Sequence, residues 1–552
     1  MYDIGPMSFD SRRSAVYAPK AMVAASQPLA AEAGMHVLRE GGSAADAAVA
    51  VAAVLAVTEP CSTGPGGDAF ALYYDAVAGE TFALNGSGRA PAGLGMDLIR
   101  NKGLEDGLPE LHPFTVTVPG ACAAWCDLLA RFGAKSMHEV LGPAAALARE
   151  GFAVGPVTSE AWKRGEKVLS GAPGGTALLT ADGDAPKPGE RFDNQELAAT
   201  LEALMRCGSP EEAKKWFYAG DPAELIAEVV QDAGGVLTKS DMAAHRSEWM
   251  QPIETDFMGR RVQECPPNGQ GLAALMALSI LREYMSVHGR EALEAAGSGG
   301  RMHVLIEALR LAFADSRMHA ADPAGYPAPL GKLLSTEYAR SRAEMIDPGR
   351  AAADVRAGVP VASSETVQFC VIDQSGNACS MVNSNYKGFG TGIVPRRLGF
   401  SLHNRGLGFS LVPGHPNALE PGKRPYHTII PGMLLNGDGS LFGPFGVMGA
   451  FMQPQGHVQV LTNILLDGLD PQAALDAPRF CIQVEADGSI LLEEGVSPEA
   501  AAALETLGHR VEFVSGYDRA VFGRGQVILR DPESGILAAG SDARADGLAL
   551  GR

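Results

Sequence analysis

Thr366 stands at the first position of a strand-like run, Thr366-Val-Gln-Phe-Cys-Val-Ile372, directly behind a stretch of small and polar residues that ends at Glu365. A threonine in this position has two readings. β-Branched residues favour strand starts for packing reasons alone. If the chain is cut before Thr366, the freed α-amine, with an intrinsic pKa of about 8, lies beside the hydroxyl, and one residue supplies both nucleophile and general base. Chemistries with stricter spacing are absent: there is no G-x-S-x-G elbow, no H-E-x-x-H zinc helix and no Walker loop. Gly64-Pro-Gly-Gly-Asp-Ala69 fits a relaxed G-x-G-x-x-A, but Pro65 interrupts it, and strand-like text follows where a dinucleotide site needs a helix N-terminus. Cys122 and Cys126 form a C-x3-C with no second Cys or His pair nearby, which reads as two small buried side chains and assigns no metal.

The elements around these residues follow from periodicity and punctuation. Ala44 to Val57 reads as a buried helix, capped by Ser43 with Asp46 and stopped by Pro60. It delivers the glycine-rich loop Cys61 to Asp68 into a strand, Ala69 to Tyr74. Between Cys122 and Met242 the pattern is amphipathic helix, as in Glu196 to Met205 and Asp221 to Val230. Leu272 to Tyr284 and Met302 to Met318 are further helices, and Glu307 with Arg310 has the spacing of an intrahelical pair on a solvated face. Residues 351 to 365 read as an exposed linker. Beyond it, 366–372 and 378–382 flank a turn as a hairpin, followed by short strands at 434–435 and 525–529 and helices at 454–466 and 498–507.

A chain of 552 residues with 46% apolar and 20% charged residues, Gly 67 and Pro 36, is a turn-rich globular protein of α plus β class. Its net charge of −19 repels polyphosphates and anionic headgroups, so neither nucleic acid nor a membrane is an expected partner. The most apolar stretch is too short to span a bilayer, the opening lacks the apolar run of a secretory signal, and the eight scattered cysteines read as reduced thiols. A cytoplasmic protein is the expectation.

Several blocks in fixed order identify a family resemblance: Gly41-Gly-Ser-Ala-Ala-Asp-Ala-Ala48, Glu59-Pro-Cys-Ser-Thr-Gly-Pro-Gly-Gly67, Arg89-Ala-Pro91, Val118-Pro-Gly120, Ala312-Phe-Ala-Asp315, Phe389-Gly-Thr-Gly392 and Lys423-Arg-Pro425. Over nearly its whole length the chain resembles the γ-glutamyltranspeptidase family of N-terminal-nucleophile hydrolases. The resemblance implies a four-layer αββα sandwich built from a proenzyme that cuts itself between Glu365 and Thr366. Residues 1–365 would form a large, mostly helical subunit and 366–552 a small one carrying the nucleophile, the two staying associated, with no metal or organic cofactor.

The same resemblance assigns roles residue by residue. Thr366 matches the nucleophile and Ser384 the second hydroxyl that supports it, a serine where the family has threonine. Gly449-Ala450 matches the paired glycines of the oxyanion turn, where a positive φ at Ala450 would cost about a kcal/mol. The substrate pocket departs from the family pattern. Ser87 takes the place of an arginine that binds an α-carboxylate, with Arg89 adjacent. Leu407-Gly408 replaces an acidic pair, His427-Thr428 a serine pair, and Tyr386 an asparagine. Arg89, Arg405 and His427 either bind a carboxylate that lacks an α-amine or are structural, and the His427 ring has the further option of bridging backbone groups.

The expected function is thus an autoprocessing N-terminal-threonine amidohydrolase or acyltransferase acting on γ-glutamyl or related small carboxylate-bearing amides. Two alternatives stand beside it: an oxamate amidohydrolase-like acylase without γ-glutamyl specificity, and a non-catalytic binding protein on the same fold.

Overall fold

The computed structural model describes residues 13–352 and 365–552, apart from 296 and 485–487. Most of the segment read as an exposed linker, 353–364, lies outside that description, as do residues 1–12.

Alternation along the strands builds the sheets. In Glu365–Ile372, Val367, Phe369 and Val371 enter one apolar cluster, while Cys370 and Ile372 enter another, because successive side chains point to opposite faces. This strand lies inside a seven-stranded antiparallel sheet in the order Leu548–Gly551, Met22–Ala25, Glu365–Ile372, Ala378–Tyr386, Asp68–Asp75, Glu80–Asn85, Glu248–Met250. A second antiparallel sheet runs Val16–Ala18, Leu537–Ser541, Arg524–Arg530, Leu441–Met448, Gly432–Asn436, Arg260–Glu264, Ile253–Phe257. The two face each other across Phe70, Leu72, Ile372, Ile429, Met433 and Ile528. Each contains strands from both sides of the Glu365–Thr366 junction.

Helices cover the outer faces. Pro28–Arg39, Ala44–Thr58 and Ala121–Phe132 pack on the sheet that holds Thr366. Gly271–His288 and Met452–Leu465 pack on the other, with Gly297–His319 against both helices. The layers are therefore helix, sheet, sheet, helix, and the fold has the mixed helix and strand content expected. The helix Ala44–Thr58 is buried along its whole length. Its one charge, Asp46, completes the capping box with Ser43 and also accepts the N–H groups of Ala134 and Lys135, so burial leaves no bare carboxylate. All eight cysteines are free thiols.

One expectation is corrected. Glu307 does pair with Arg310 at 2.9 Å, but it is buried rather than on a solvated face. Its second oxygen accepts the N–H of Ala352, and His303 Nε2 donates to the Asp347 carbonyl. His303 Nδ1 in turn lies 2.7 Å from His509 Nε2. Together with a bond from Ala351 N to the Leu507 carbonyl, this face of the helix fastens 347–352 before the chain continues toward Thr366.

Candidate active site

The strand pair Glu365–Ile372 and Ala378–Tyr386 sets the geometry. Its register runs Glu365 opposite Tyr386, then Val367 opposite Asn383, with an irregularity between. A bulge of this kind bends the strand and re-aims a side chain. The partner strand is held from outside by Trp125, whose Nε1 donates to Asn383 Oδ1 at 2.9 Å.

Thr366 and Ser384 meet there, Oγ1 to Oγ at 2.9 Å, both buried. Ser384 Oγ also accepts the Tyr386 N–H at 2.9 Å and Arg405 Nη2 at 3.3 Å. A hydroxyl has two acceptor sites and one proton, so Ser384 Oγ can both accept these N–H groups and exchange a hydrogen bond with Thr366 Oγ1, in which either hydroxyl can be the donor. A donor on that oxygen stabilises negative charge as it develops. Tyr386 holds φ +75°, an unusual conformation for a bulky residue, and its ring lies 4.1 Å from the Arg405 guanidinium carbon.

Gly449 and Ala450 link the strand Leu441–Met448 to the helix Met452–Leu465. Ala450 adopts φ +51° and Gly449 φ +129°, so the alanine does occupy the left-handed region. Among the described residues neither of their N–H groups has an acceptor. The turn is clamped by Gln270, whose Nε2 donates to the carbonyls of Ala450 and Thr428 while its Oε1 accepts the Tyr426 hydroxyl.

Asp68, the last residue of the glycine-rich loop, is the centre of the electrostatics. Its Oδ1 accepts the N–H groups of Gly88 and Gly120 at 3.1 and 3.0 Å. Its Oδ2 accepts His427 Nε2 at 3.0 Å and lies 3.5 Å from His403 Nδ1. Burial would raise this carboxyl, but the histidines and Arg405 outweigh it and hold Asp68 well below the carboxylate range. Burial pushes His427 down to about 3, helped by Arg405, so its ring is neutral. Its Nδ1 accordingly accepts the Ile429 N–H at 3.3 Å. His403 donates Nε2–H to the Thr117 carbonyl, and burial lowers it too.

The predicted site residues divide into two sets. Thr366, Ser384, Tyr386, Arg405 and Thr428 are joined by direct contacts, since Arg405 Nη1 donates to Thr428 Oγ1 at 2.9 Å. Gly449-Ala450 is tied to Thr428 through Gln270. The residues of the other set have partners of their own. Arg89 is held by Asp322, Glu248 and the Gly422 carbonyl, so its charge is already matched. His427, lowered by burial, bridges the Asp68 carboxylate and the Ile429 N–H. Ser87 Oγ accepts Asn268 Nδ2, and its N–H donates to Asn85. Leu407 and Gly408 lie on the short turn Arg405–Gly408. A Cβ on Gly408 would stand 2.4 Å from the Tyr426 carbonyl oxygen, so an acid does not fit there without moving backbone.

Asp68, His403, Asn268 and Gln270 were not singled out from the sequence. Only Asp68 left a signal, a lone carboxylate opening a wholly apolar strand, which must be paired once buried.

The family model described as Gamma-glutamyltranspeptidase matches residues 30–551. The Glutathione hydrolase-like YwrD proenzyme of Bacillus subtilis is 36% identical, over 97% of this chain and 99% of the relative. The Oxamate amidohydrolase proenzyme of Klebsiella pneumoniae is 32% identical, over 96% and 98%. The crystal structure of cephalosporin acylase from Bacillus halodurans superposes with TM-score 0.89 at 41% identity, covering 100% of this chain and 99% of that one. Among the described residues no helix is long and apolar enough to cross a membrane.

Proposed function

Because the chain belongs to the γ-glutamyltranspeptidase family and is an amidohydrolase-type enzyme of it, we propose that it is a proenzyme that frees Thr366 as an N-terminal nucleophile and cleaves γ-glutamyl or related small carboxylate-bearing amides. The observation that carries this reading is the Thr366 Oγ1–Ser384 Oγ contact of 2.9 Å at a strand start, linked through Arg405, Thr428 and Gln270 to a turn whose two N–H groups have no acceptor among the described residues.

In the first step Thr366 Oγ1 attacks the Glu365 carbonyl carbon, the C–N bond breaks, and the acyl group moves from nitrogen to oxygen. Water then opens the ester, leaving a carboxylate on Glu365 and an amine on Thr366. That amine takes the hydroxyl proton when an amide substrate arrives. The Gly449 and Ala450 N–H groups receive the developing oxyanion, and Ser384 donates to the attacking oxygen. The amine product leaves with the proton. Water releases the acyl group, or an acceptor amine carries it away, so hydrolysis and transfer share one acyl-enzyme.

Residues 1–365 and 366–552 are the two resulting subunits. Their continued association is supported by the interleaving of strands from both in each sheet. The test compares wild type with Thr366→Ala on γ-glutamyl p-nitroanilide and on oxamate. Wild type should release product from at least one, and the variant should stay uncut and inactive on both. Turnover by an uncut Thr366→Ala protein would overturn the reading. A second activity class, the acylase, is favoured by the uncharged turn Leu407-Gly408 and the engaged Ser87.

A further inference from the structure

His303, Glu307 and His509 each bring one candidate ligand atom within 4.8 Å of the others, and all three side chains are buried. The backbone fixes them there. His303 and Glu307 stand four residues apart on Gly297–His319 and so share one face of that helix. His509 is set by the stop of the helix Pro498–Thr506: its N–H donates to the Leu504 carbonyl and the Gly508 N–H to that of Glu505, with Gly508 at φ +98°. These are the paired bonds of a Schellman motif. The two helices meet closely one turn before His303, where a Cβ on Gly299 would stand 2.6 Å from the Ala503 Cβ.

The placement of protons shows what the cluster lacks. His303 Nε2 donates to the Asp347 carbonyl at 2.8 Å, so in a neutral ring Nδ1 carries a lone pair, and it faces His509 Nε2 at 2.7 Å. With the His509 proton on Nε2 the two rings share a hydrogen bond, but His509 Nδ1 is left a buried acceptor without a partner among the described residues. With the proton on Nδ1 two lone pairs face each other, an arrangement that a cation between them makes favourable. The surroundings are those of a ligand set. A ligating histidine gives its other N–H to a backbone carbonyl, as His303 does. The Glu307 carboxylate is oriented by Arg310 Nη1 at 2.9 Å on Oε1 and by the Ala352 N–H at 3.1 Å on Oε2, and each oxygen keeps a second lone pair.

We propose that His303, Glu307 and His509 bind a divalent transition-metal ion, and that two imidazoles with one carboxylate select zinc. Binding moves the His509 proton from Nε2 to Nδ1 and releases none, the two nitrogens part to admit the ion, and a water completes four-coordination. The ion is structural, because the cluster lies in the outer helical layer and not on the strand pair that holds Thr366. Its ligands come from both sides of residue 365, so in the processed protein it would staple one subunit to the other. Through Asp347 and Ala352 it also holds 347–352 in place.

Zinc chloride is the probe. Wild-type protein, stripped with a chelator and dialysed into metal-free buffer, should take up one equivalent per chain in a calorimetric titration. Its melting temperature should rise with zinc and return when chelator is added. Glu307→Gln and His509→Gln should each weaken binding on the order of a hundredfold or more, whereas His138→Gln, at an exposed histidine, should leave it unchanged. Folded wild type that takes up no stoichiometric zinc overturns the proposal, as does binding that both cluster variants retain; the rings then share a proton and no metal. If the variants fail to fold, X-ray absorption at the zinc edge of loaded wild type decides. Two imidazoles with oxygen ligands support the site, and a sulfur-containing or all-oxygen shell overturns it.

Discussion

At the residue scale the chemistry depends on one hydroxyl serving three partners. Ser384→Ala would remove the hydroxyl that meets Thr366 Oγ1 and accepts the Tyr386 N–H and Arg405 Nη2. Turnover should fall on the order of a hundredfold, chiefly in kcat, as for loss of a donor that acts on developing charge. A steady-state comparison checks this, and an unchanged kcat would show that Ser384 only fills space. Ala450 carries backbone strain at φ +51°. Ala450→Gly should raise stability by about 0.5–1 kcal/mol, since release of left-handed strain exceeds the added chain entropy; thermal melts of the two proteins decide it. In the proposed mechanism the freed amine of Thr366 acts as base when neutral, so kcat/KM should rise with pH and level off above about 8.

At the element scale the site depends on two backbone segments that cross without side chains between them. A Cβ on Gly88 would stand 1.6 Å from the Val118 carbonyl oxygen, and one on Gly120 1.7 Å from that of Gly86. The same two glycines present N–H groups to Asp68. Gly120→Ala should therefore destabilise by more than about 3 kcal/mol and weaken expression, while Asp68→Asn keeps the space and removes the charge that His427 donates to. These elements were partly legible in the sequence. The capped helix after Ser43, the loop into the Asp68 strand and the hairpin after Thr366 could be read because capping, turn residues and alternation are local signals. The hairpin extends to Tyr386, beyond the expected residue 382, because Asn383 is fastened by Trp125, a contact 258 residues away in sequence. For the same reason Gln270 and His403 were invisible, and Arg89 and Arg405 looked equivalent until the structure gave one two carboxylates and the other none among the described residues.

At the scale of the molecule, both sheets, and the helical layer that holds Gly271–His288 and Met452–Leu465, draw on both sides of residue 365, so the proposed cleavage is expected to open a peptide bond without separating the parts. Buried histidines make this assembly acid-sensitive. His245 and His427 are held near 3 by burial against an ordinary 6.5. The unfolded chain takes up protons at these sites below about 6.5 and the folded one does not, so stability is full above that pH and falls as pH is lowered toward 3, by up to about 1.4 kcal/mol per pH unit for each ring. Asp542, held at about 2 by Arg479 and Arg544 against burial, extends the loss: its contribution is present above 3.8 and disappears as pH falls toward 2. Denaturant melts between pH 7 and 3 should show this monotonic decline, and a flat profile would contradict the neutral-histidine assignment. The most direct test of the account is intact-mass and N-terminal analysis of purified protein after prolonged incubation. Two associated fragments, the smaller beginning Thr-Val-Gln-Phe, are the predicted result; an unbroken chain through Glu365 and Thr366 in active protein would contradict it.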